Sequence, residues 1–389
     1  MVNGELIMKN GYKRTEIGVI PVDWDIVQFG KHLDIFAGFG FNKSEYVGQG
    51  IKLLRIDNVS YGIVTWESIA FLPEIYLKKY PNLIIVKDDI LLALNRPITN
   101  GQLKLAILKK EDSPCILYQR VGKIICRNNA YTKIFAFYVL NKYIKKFVEE
   151  SSVGTDQPFI STVKLKKYKI PLPPLPEQKA IAEVLSDTDN LIQALEKRIA
   201  KKRLIKQGAM QKLLTPKDDW EVKKLGDILK VRHGKSQKDV EDRNGQYPIL
   251  GTGGLMGYAN QFLYDRESVL IGRKGTIDKP RYMNIPFWTV DTLFYTEIFK
   301  YVSPKCLFYK FLQIDWYSYN EASGVPSLNA KTIENIEISL PPLEEQTHIA
   351  TILSDMDSEI KALEKKRAKY KQLKQGLMQN LLTGKIRLI

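Results

Sequence analysis

The sequence predicts an α+β chain with a pseudo-two-fold internal repeat: two similar globular domains separated by two long antiparallel helices forming a coiled coil. Three observations predict it. One segment occurs twice at a constant offset, an apolar spacing of three and four runs through both copies, and short β-rich runs fill the stretches between them.

The repeat comes first because a long period decides architecture before any local feature. "IPLPPLPEQKAIAEVLSDTD" starts at Ile170 and "ISLPPLEEQTHIATILSDMD" at Ile338, and the match continues without a gap to Thr215 and Thr383. About 28 of the 46 aligned positions are identical. Fainter islands lie upstream: "DWDIVQFGKHLDI" from Asp23 resembles "DWEVKKLGDILKV" from Asp219, and Pro158-Phe159-Ile160-Ser161 falls opposite Pro326-Ser327-Leu328-Asn329. The expected organisation is an N-terminal segment (1–24), a first variable domain (25–169), a central hinge and long helix (170–215), a second variable domain (216–337), and a C-terminal hinge and long helix (338–389).

Each repeated segment reads as an extended hinge followed by a helix. Residues before proline avoid the helical region, so "LPPLPEQ" and "LPPLEEQ" are extended, with Pro176 suited to the first helical position. The seam then runs through Ile181, Leu185, Ile192, Leu195 and Ile199 in the first copy, and through Ile349, Leu353, Met356, Ile360, Leu363 and Tyr370 in the second. Thr188, Lys202, Lys206, Arg367 and Lys374 interrupt it. A helix of some 37 residues is about 55 Å long and serves to hold things apart or to bind along its length. Pairing within one chain is expected, with a coiled coil between two chains as the alternative. Gly208 and Gly376, at equivalent places, signal either close approach of a neighbour or frayed helix ends.

The chain of 389 residues, 44% hydrophobic, is long enough for two cores. Cys115, Cys126 and Cys306 are scattered, which suggests neither disulfides nor zinc, and no apolar run approaches a membrane span; a cytoplasmic, membrane-free protein is expected. A net charge of +16 makes a polyanion the first partner to consider. Much of that charge lies in the first variable stretch, since residues 216–337 carry only about +1.

Catalytic motifs are not found. "HGKS" (His233 to Ser236) lacks the glycine of a phosphate loop at Leu229, "GTGG" (251–254) lacks Rossmann spacing, and His32, His233 and His348 are too scattered for a metal site or triad. Both Pro-Pro pairs are followed by leucine, so no Asp- or Asn-Pro-Pro-Tyr box for amino methylation is present. The chain is expected not to be an enzyme and to hold no metal or cofactor of its own.

Loops that mix cations, amides and aromatics stand out instead. "LNRPITNGQLK" (Leu94 to Lys104) and "IGRKGTIDKPRY" (Ile271 to Tyr282) follow apolar strands, as do "LLRIDNVSYG" and "ILGTGGLMGYANQ". Arg and Lys fork onto guanine and Asn and Gln pair with adenine, so these residue types suit base edges and phosphates. The candidate DNA contacts are Arg55, Asn58, Asn95, Arg96, Asn100, Gln102, Lys104, Arg120 and Lys123 in the first stretch. In the second they are Arg232, Lys235, Thr252, Tyr258, Asn260, Arg273, Lys274, Lys279 and Arg281.

With these residues in view, the chain resembles a specificity subunit of a type I restriction-modification enzyme. The likeness covers nearly the whole chain and rests on "YKRTEIGVIPVDW" (Tyr12 to Trp24), the two "LPPLxEQ...LSDxD" segments with "KQGxMQxLLT", and "IGRKGT" with "PFWTVDTLFY" (Pro286 to Tyr295). The first domain departs from the last pattern, having "LALNRPIT" there. The resemblance implies two target recognition domains that each read half of a split double-stranded DNA sequence, and helices that fix the unread gap and dock two modification (methyltransferase) subunits. It also implies S-adenosylmethionine on those partners, and ATP with magnesium on restriction (translocase/nuclease) subunits. The alternative is a coiled-coil structural adaptor whose globular domains bind proteins.

Overall fold

A computed structural model describes residues 11–151 and 159–388. The first ten residues and Pro158 of the faint upstream match lie outside them. The chain divides into two compact units, one comprising Met1–Ala194 with Arg367–Ile389, the other Leu195–Lys366. The division cuts both long helices, so each unit owns part of each.

In the first unit a short strand β1 (Asp25–Gln28) leads through a single helical turn to β2 (Leu33–Ala37). There follow β3 (Ile51–Leu54), β4 (Phe71–Leu72), β5 (Ile84–Ile85), β6 (Ile90–Ala93), β7 (Leu105–Ile107), β8 (Cys115–Leu117) and β9 (Val121–Cys126). Helix α1 (Lys133–Ser151), β10 (Lys169–Leu172) and the 39-residue helix α2 (Leu175–Leu213) complete the order. One sheet runs β7-β6-β9-β2, antiparallel throughout; the other runs β4-β3-β8-β5, with β3 and β8 parallel. Every side chain of β6 and β8 is buried, as strands covered on both faces require.

The second unit repeats this plan: β11 (Glu221–Lys224), β12 (Leu229–Arg232), β13 (Tyr247–Gly251), β14 (Gly254–Ala259), β15 (Ser268–Gly272), β16 (Arg281–Met283), β17 (Trp288–Thr289), β18 (Leu293–Ile298), helix α3 (Pro304–Phe311), β19 (Glu337–Leu340) and helix α4 (Leu343–Leu381). Its antiparallel sheet is β12-β18-β15-β16, and β13 pairs with β17 in parallel as β3 does with β8. Each variable domain opens and closes on a two-stranded ladder, β1 with β10 and β11 with β19, so its entry and exit lie side by side.

The first long helix begins one residue earlier than expected, at Leu175, leaving Pro176 in the second helical position, where its missing N–H is still no loss; the second begins at the equivalent Leu343. The helices pack antiparallel within the chain. In the first unit Ile181 and Leu185 share a core with Leu381 and Leu382; in the second, Leu214 shares one with Ile349 and Leu353. Ile192, Leu195, Ile199 and Ile360 are buried, whereas Met356, Leu363 and Tyr370 are half-buried. Gly208 and Gly376 correspond to neither explanation offered for them: a side chain at either would meet open space, and both helices continue past them.

The repeated motifs are locks between each variable domain and its helices. The Glu of "EQ" accepts the indole N–H of the opening tryptophan, Trp24 to Glu177 at 2.6 Å and Trp220 to Glu345 at 3.1 Å. The Gln folds back on the hinge, donating to Pro173 at 2.9 Å or Pro341 at 2.8 Å, and accepts a backbone N–H at the start of α1 (Thr132, 3.0 Å) or α3 (Ser303, 2.8 Å). The second Asp of "LSDxD" accepts a domain tyrosine and pairs with the lysine of "KQG" on the facing helix. In the first unit Tyr138 and Lys374 meet Asp189 at 2.8 and 2.6 Å; in the second Tyr309 and Lys206 meet Asp357 at 2.8 and 2.5 Å. Two of the polar breaks in the apolar seam are therefore partners of the repeated aspartates.

Candidate nucleic-acid interface

The antiparallel sheets bring the loops that carry the candidate residues to one end. In the first unit β2 and β6 finish where β9 and β7 begin, so the segments 38–50, 94–104 and 118–120 emerge together. In the second the same holds for 233–246, 273–280 and 290–292. The neighbouring loop joins them in each case. Tyr61 donates its hydroxyl to the Thr99 carbonyl at 3.1 Å, and Arg281 donates to the Gly251 and Thr252 carbonyls at 3.3 and 2.7 Å.

The ladders also align the two loop ends residue by residue. Leu94 accepts from Ile160 and donates to Arg120 as Arg273 accepts from Leu328 and donates to Thr292. Asn95 bridges Phe159 as Lys274 bridges Ser327. Arg96 hence occupies the place of Gly275, not that of Arg273, and Arg120 the place of Thr292. Gly275 has φ of 86°, whereas Arg96 and Arg120 hold 43° and 65°, in the left-handed region that disfavours a side chain. Two exposed arginines are thus held in strained backbone at the ends of adjacent strands. Such strain persists only where surrounding structure imposes it and clusters at functional sites.

Most remaining candidates at these ends are open to solvent. Arg96, Asn100, Gln102, Arg120, Lys235, Asn260, Lys274 and Lys279 are exposed, with Asn95, Lys104, Thr252 and Arg273 half-exposed; Tyr258 is exposed on β14. Among the described residues no side-chain hydrogen bond or ion pair engages Arg96, Arg120, Lys104, Lys235, Lys274 or Lys279. Their donors are available to phosphates or base edges.

Six candidates are engaged elsewhere, among them Arg273, whose guanidinium donates to the Asp291 carbonyl at 3.1 Å. Asn58 is buried, its carbonyl accepting from the Arg55 N–H and its amide donating to Thr65 and Ser68, so it holds its own loop. Arg55 rests on the Ser68 hydroxyl at 2.5 Å. Lys123 pairs with buried Asp89 at 2.6 Å inside the sheet. Arg232 pairs with Glu297 at 2.8 Å, which raises its pKa through that hydrogen bond, and Arg281 spends two donors bracing the "GTGG" turn. The reason is common to all: a polar or cationic side chain that ties its own loop or sheet together has the same sequence as one that faces outward.

Sequence reasoning passed over Phe39 and Gln119. Phe39 is 54% exposed and stacks on Tyr80 with ring centres 6.1 Å apart, and its carbonyl accepts from the N–H of exposed Gln119 beside Arg120. An exposed aromatic next to free cations suits a base or sugar face. The signal available was the "GFGF" run directly after β2. Among the described residues no cluster of His, Cys, Asp or Glu could hold a metal, and no helix is long and apolar enough to cross a membrane.

Residues 21–203 and 217–375 match the family described as type I restriction modification DNA specificity domain. The chain belongs to this family. It is 48% identical over 207 residues to the type I restriction enzyme MjaVIII specificity subunit of Methanocaldococcus jannaschii, a match spanning 53% of this chain and about half (49%) of that relative. It is 29% identical to the putative MjaX specificity subunit of the same organism, with 97% of each chain covered, and 32% identical over 180 residues to the Escherichia coli EcoAI specificity subunit. Its fold matches that of the S subunit from M. genitalium with a TM-score of 0.67 at 18% identity, covering 92% of this chain and 96% of that one. The α+β class, the two specificity domains and the packed long helices expected from sequence are therefore those of the family. The protein is a specificity subunit of a type I restriction-modification system, a non-catalytic member of that assembly.

Proposed function

We propose that the chain reads a bipartite double-stranded DNA sequence, one half through the loop end of each antiparallel sheet. The recognition domains are residues 25–169 and 216–337. The 39-residue α2, about 58 Å long, pairs with α4 as the ruler that sets the unread gap, and the outer faces of that pair dock two modification (methyltransferase) subunits. S-adenosylmethionine is held by those subunits, and ATP with magnesium by restriction subunits that join the same complex.

One observation carries the reading. The same sheet is built twice, locked to the helices by the same residues, yet its loop end carries a different set of exposed cations and amides in each unit. A framework held constant beneath variable polar loops suits two half-sites of different sequence. Tethering makes the second half-site available at high effective concentration, so modest affinities combine when the spacing fits. Each wrong base pair costs about 1–3 kcal/mol, enough to discriminate against bulk DNA.

The test is to express the chain with its modification subunit in a methylation-free host and map N6-methyladenine. The expected result is one split motif with two short halves around a fixed gap, and four residues inserted after Ile199 should change the gap alone. An assembled complex that binds S-adenosylmethionine and leaves no new methylation would favour the protein-binding adaptor.

A further inference from the structure

The first unit carries a basic cleft whose second-unit counterpart is built differently. Helix α1 runs 19 residues where α3 runs eight, and its additional turns bring Lys142, Lys145 and Lys146 opposite the last turns of α4, which supply Lys371, Gln375 and Gln379. Aligned on Tyr138 and Tyr309, Lys142 and Lys145 fall at Gln313 and Trp316. The cleft is about 550 Å³ and its acidic lining residue is Glu149, which pairs with Lys145 at 3.7 Å; Lys146 pairs on its solvent side with exposed Glu150 at 3.7 Å, and Lys142 has no acidic partner among the described residues.

Lys142 carries the argument. It is half-buried, and among the described residues its ammonium has no hydrogen bond or carboxylate, only the ring of Tyr143 at 5.8 Å. Burial first, then Lys385 and Lys146, push its pKa down to about 8. A cation taken from water with no counter-charge is costly, and an anion in the cleft would remove that penalty.

We infer that this cleft holds the DNA phosphate backbone as it leaves the first recognition loop. The inference rests on the DNA-reading function proposed above. Gln102 and Leu103, which line the cleft, belong to the returning arm of the 94–104 loop, and Lys145 ties that arm down by donating to the Gly101 carbonyl at 2.6 Å. A duplex seated on Arg96 and Asn100 therefore has its next phosphates beside Lys142 and Lys146. Lysines are point charges on flexible stems, suited to phosphate and indifferent to base identity. The first half-site accordingly contributes more of the salt-dependent affinity than the second.

The experiment uses the complex of the full chain with its modification subunits and a duplex bearing the mapped motif, with equilibrium binding followed against salt concentration. Lys142→Ala with Lys146→Ala should lower the slope of log K against log salt by about 1 per lysine, with the same motif read. Lys142→Arg, which keeps the charge, should retain the wild-type slope. An unchanged slope in a folded double variant that still binds the duplex overturns the inference. Loss of modification subunit from the double variant at unchanged slope also overturns it, and assigns the cleft to an acidic face of that partner. A wild-type complex that does not prefer the motif duplex over a scrambled one sinks the DNA-reading function itself.

Discussion

Asp189 and Asp357 stand at equivalent points of the two units, each accepting from a tyrosine and paired with a lysine of the facing helix. A few strands away, at the loop ends, Arg96 faces Gly275 in the alignment and Arg120 faces Thr292. Positions that key a domain to its helix are the same in both units, and positions at the end of the sheet are not. A lock must bring a tyrosine, an aspartate and a lysine from three elements into one fixed geometry, so few residues serve. A loop that meets an external partner is free to change with that partner.

The locks are not equally buried, and the largest expected effect exploits this. Glu177 is wholly buried and accepts from Trp24 and twice from Arg387, whereas Glu345 is partly exposed and takes Trp220 with Lys217. Glu177→Ala strands three donors and should cost about 3–5 kcal/mol, Glu345→Ala about 1 kcal/mol, by denaturant unfolding. Equal losses would show that the two locks are energetically alike despite their burial. Tyr138→Phe and Tyr309→Phe should each cost about 1–2 kcal/mol, because Asp189 and Asp357 keep their lysines; a cost confined to one unit would break the pseudo-symmetry.

At the loop ends the sign should reverse. Arg96→Gly relieves a left-handed side chain and should leave stability unchanged or raise it by about 0.5 kcal/mol, while relaxing the first half of the methylated motif and sparing the second. Gly275→Ala should instead lower stability by about 1 kcal/mol. If Arg96→Gly leaves the first half-site intact, the strained arginine is not a reader.

A further effect, one of pH, concerns a position where the cores differ. Val139 in the first unit corresponds to Lys310 in the second, buried, donating to the Leu214 carbonyl at 3.2 Å and lying 4.1 Å over Trp220. Burial pushes this lysine down to about 8, below the 10.5 of an exposed amine. Between those values the unfolded chain binds the additional proton, so stability rises with pH from 8 to 10.5 and the gain is lost as pH falls through 8. Thermal melts across that window should show this rise relative to Lys310→Met; parallel curves would mean the amine is not depressed.

Much of this framework was legible in the sequence. The repeat, the hinges and the heptad seam are local or periodic signals, and the opening Asp-Trp islands mark strands that do pair with the hinge. The parallel pairing of β3 with β8 was not, since it joins residues some sixty apart with no periodic trace. The two loops were legible as following an apolar strand, but their residue-by-residue alignment was not, because the backbone bridges that set Arg96 against Gly275 leave no trace in the sequence. Asn58, Lys123 and Arg281 could not be sorted from exposed candidates, because inward or outward aim depends on contacts 10 to 34 residues away.

The segment after α4 has a consequence for biosynthesis. Leu381 and Leu382 belong to the first core, Tyr12 donates to the Gly384 carbonyl at 2.9 Å, and Arg387 closes on Asp23 and Glu177. On the ribosome the second unit, contiguous from Leu195 to Lys366, is available to fold before the first has its final strip of core. The part of the protein translated first is the part completed last, with its apolar floor open until residues 377–387 emerge, the reverse of the usual N-terminal-first order. The exposure of a nascent chain to chaperones and proteases is thereby set by the timing of its last turns of helix.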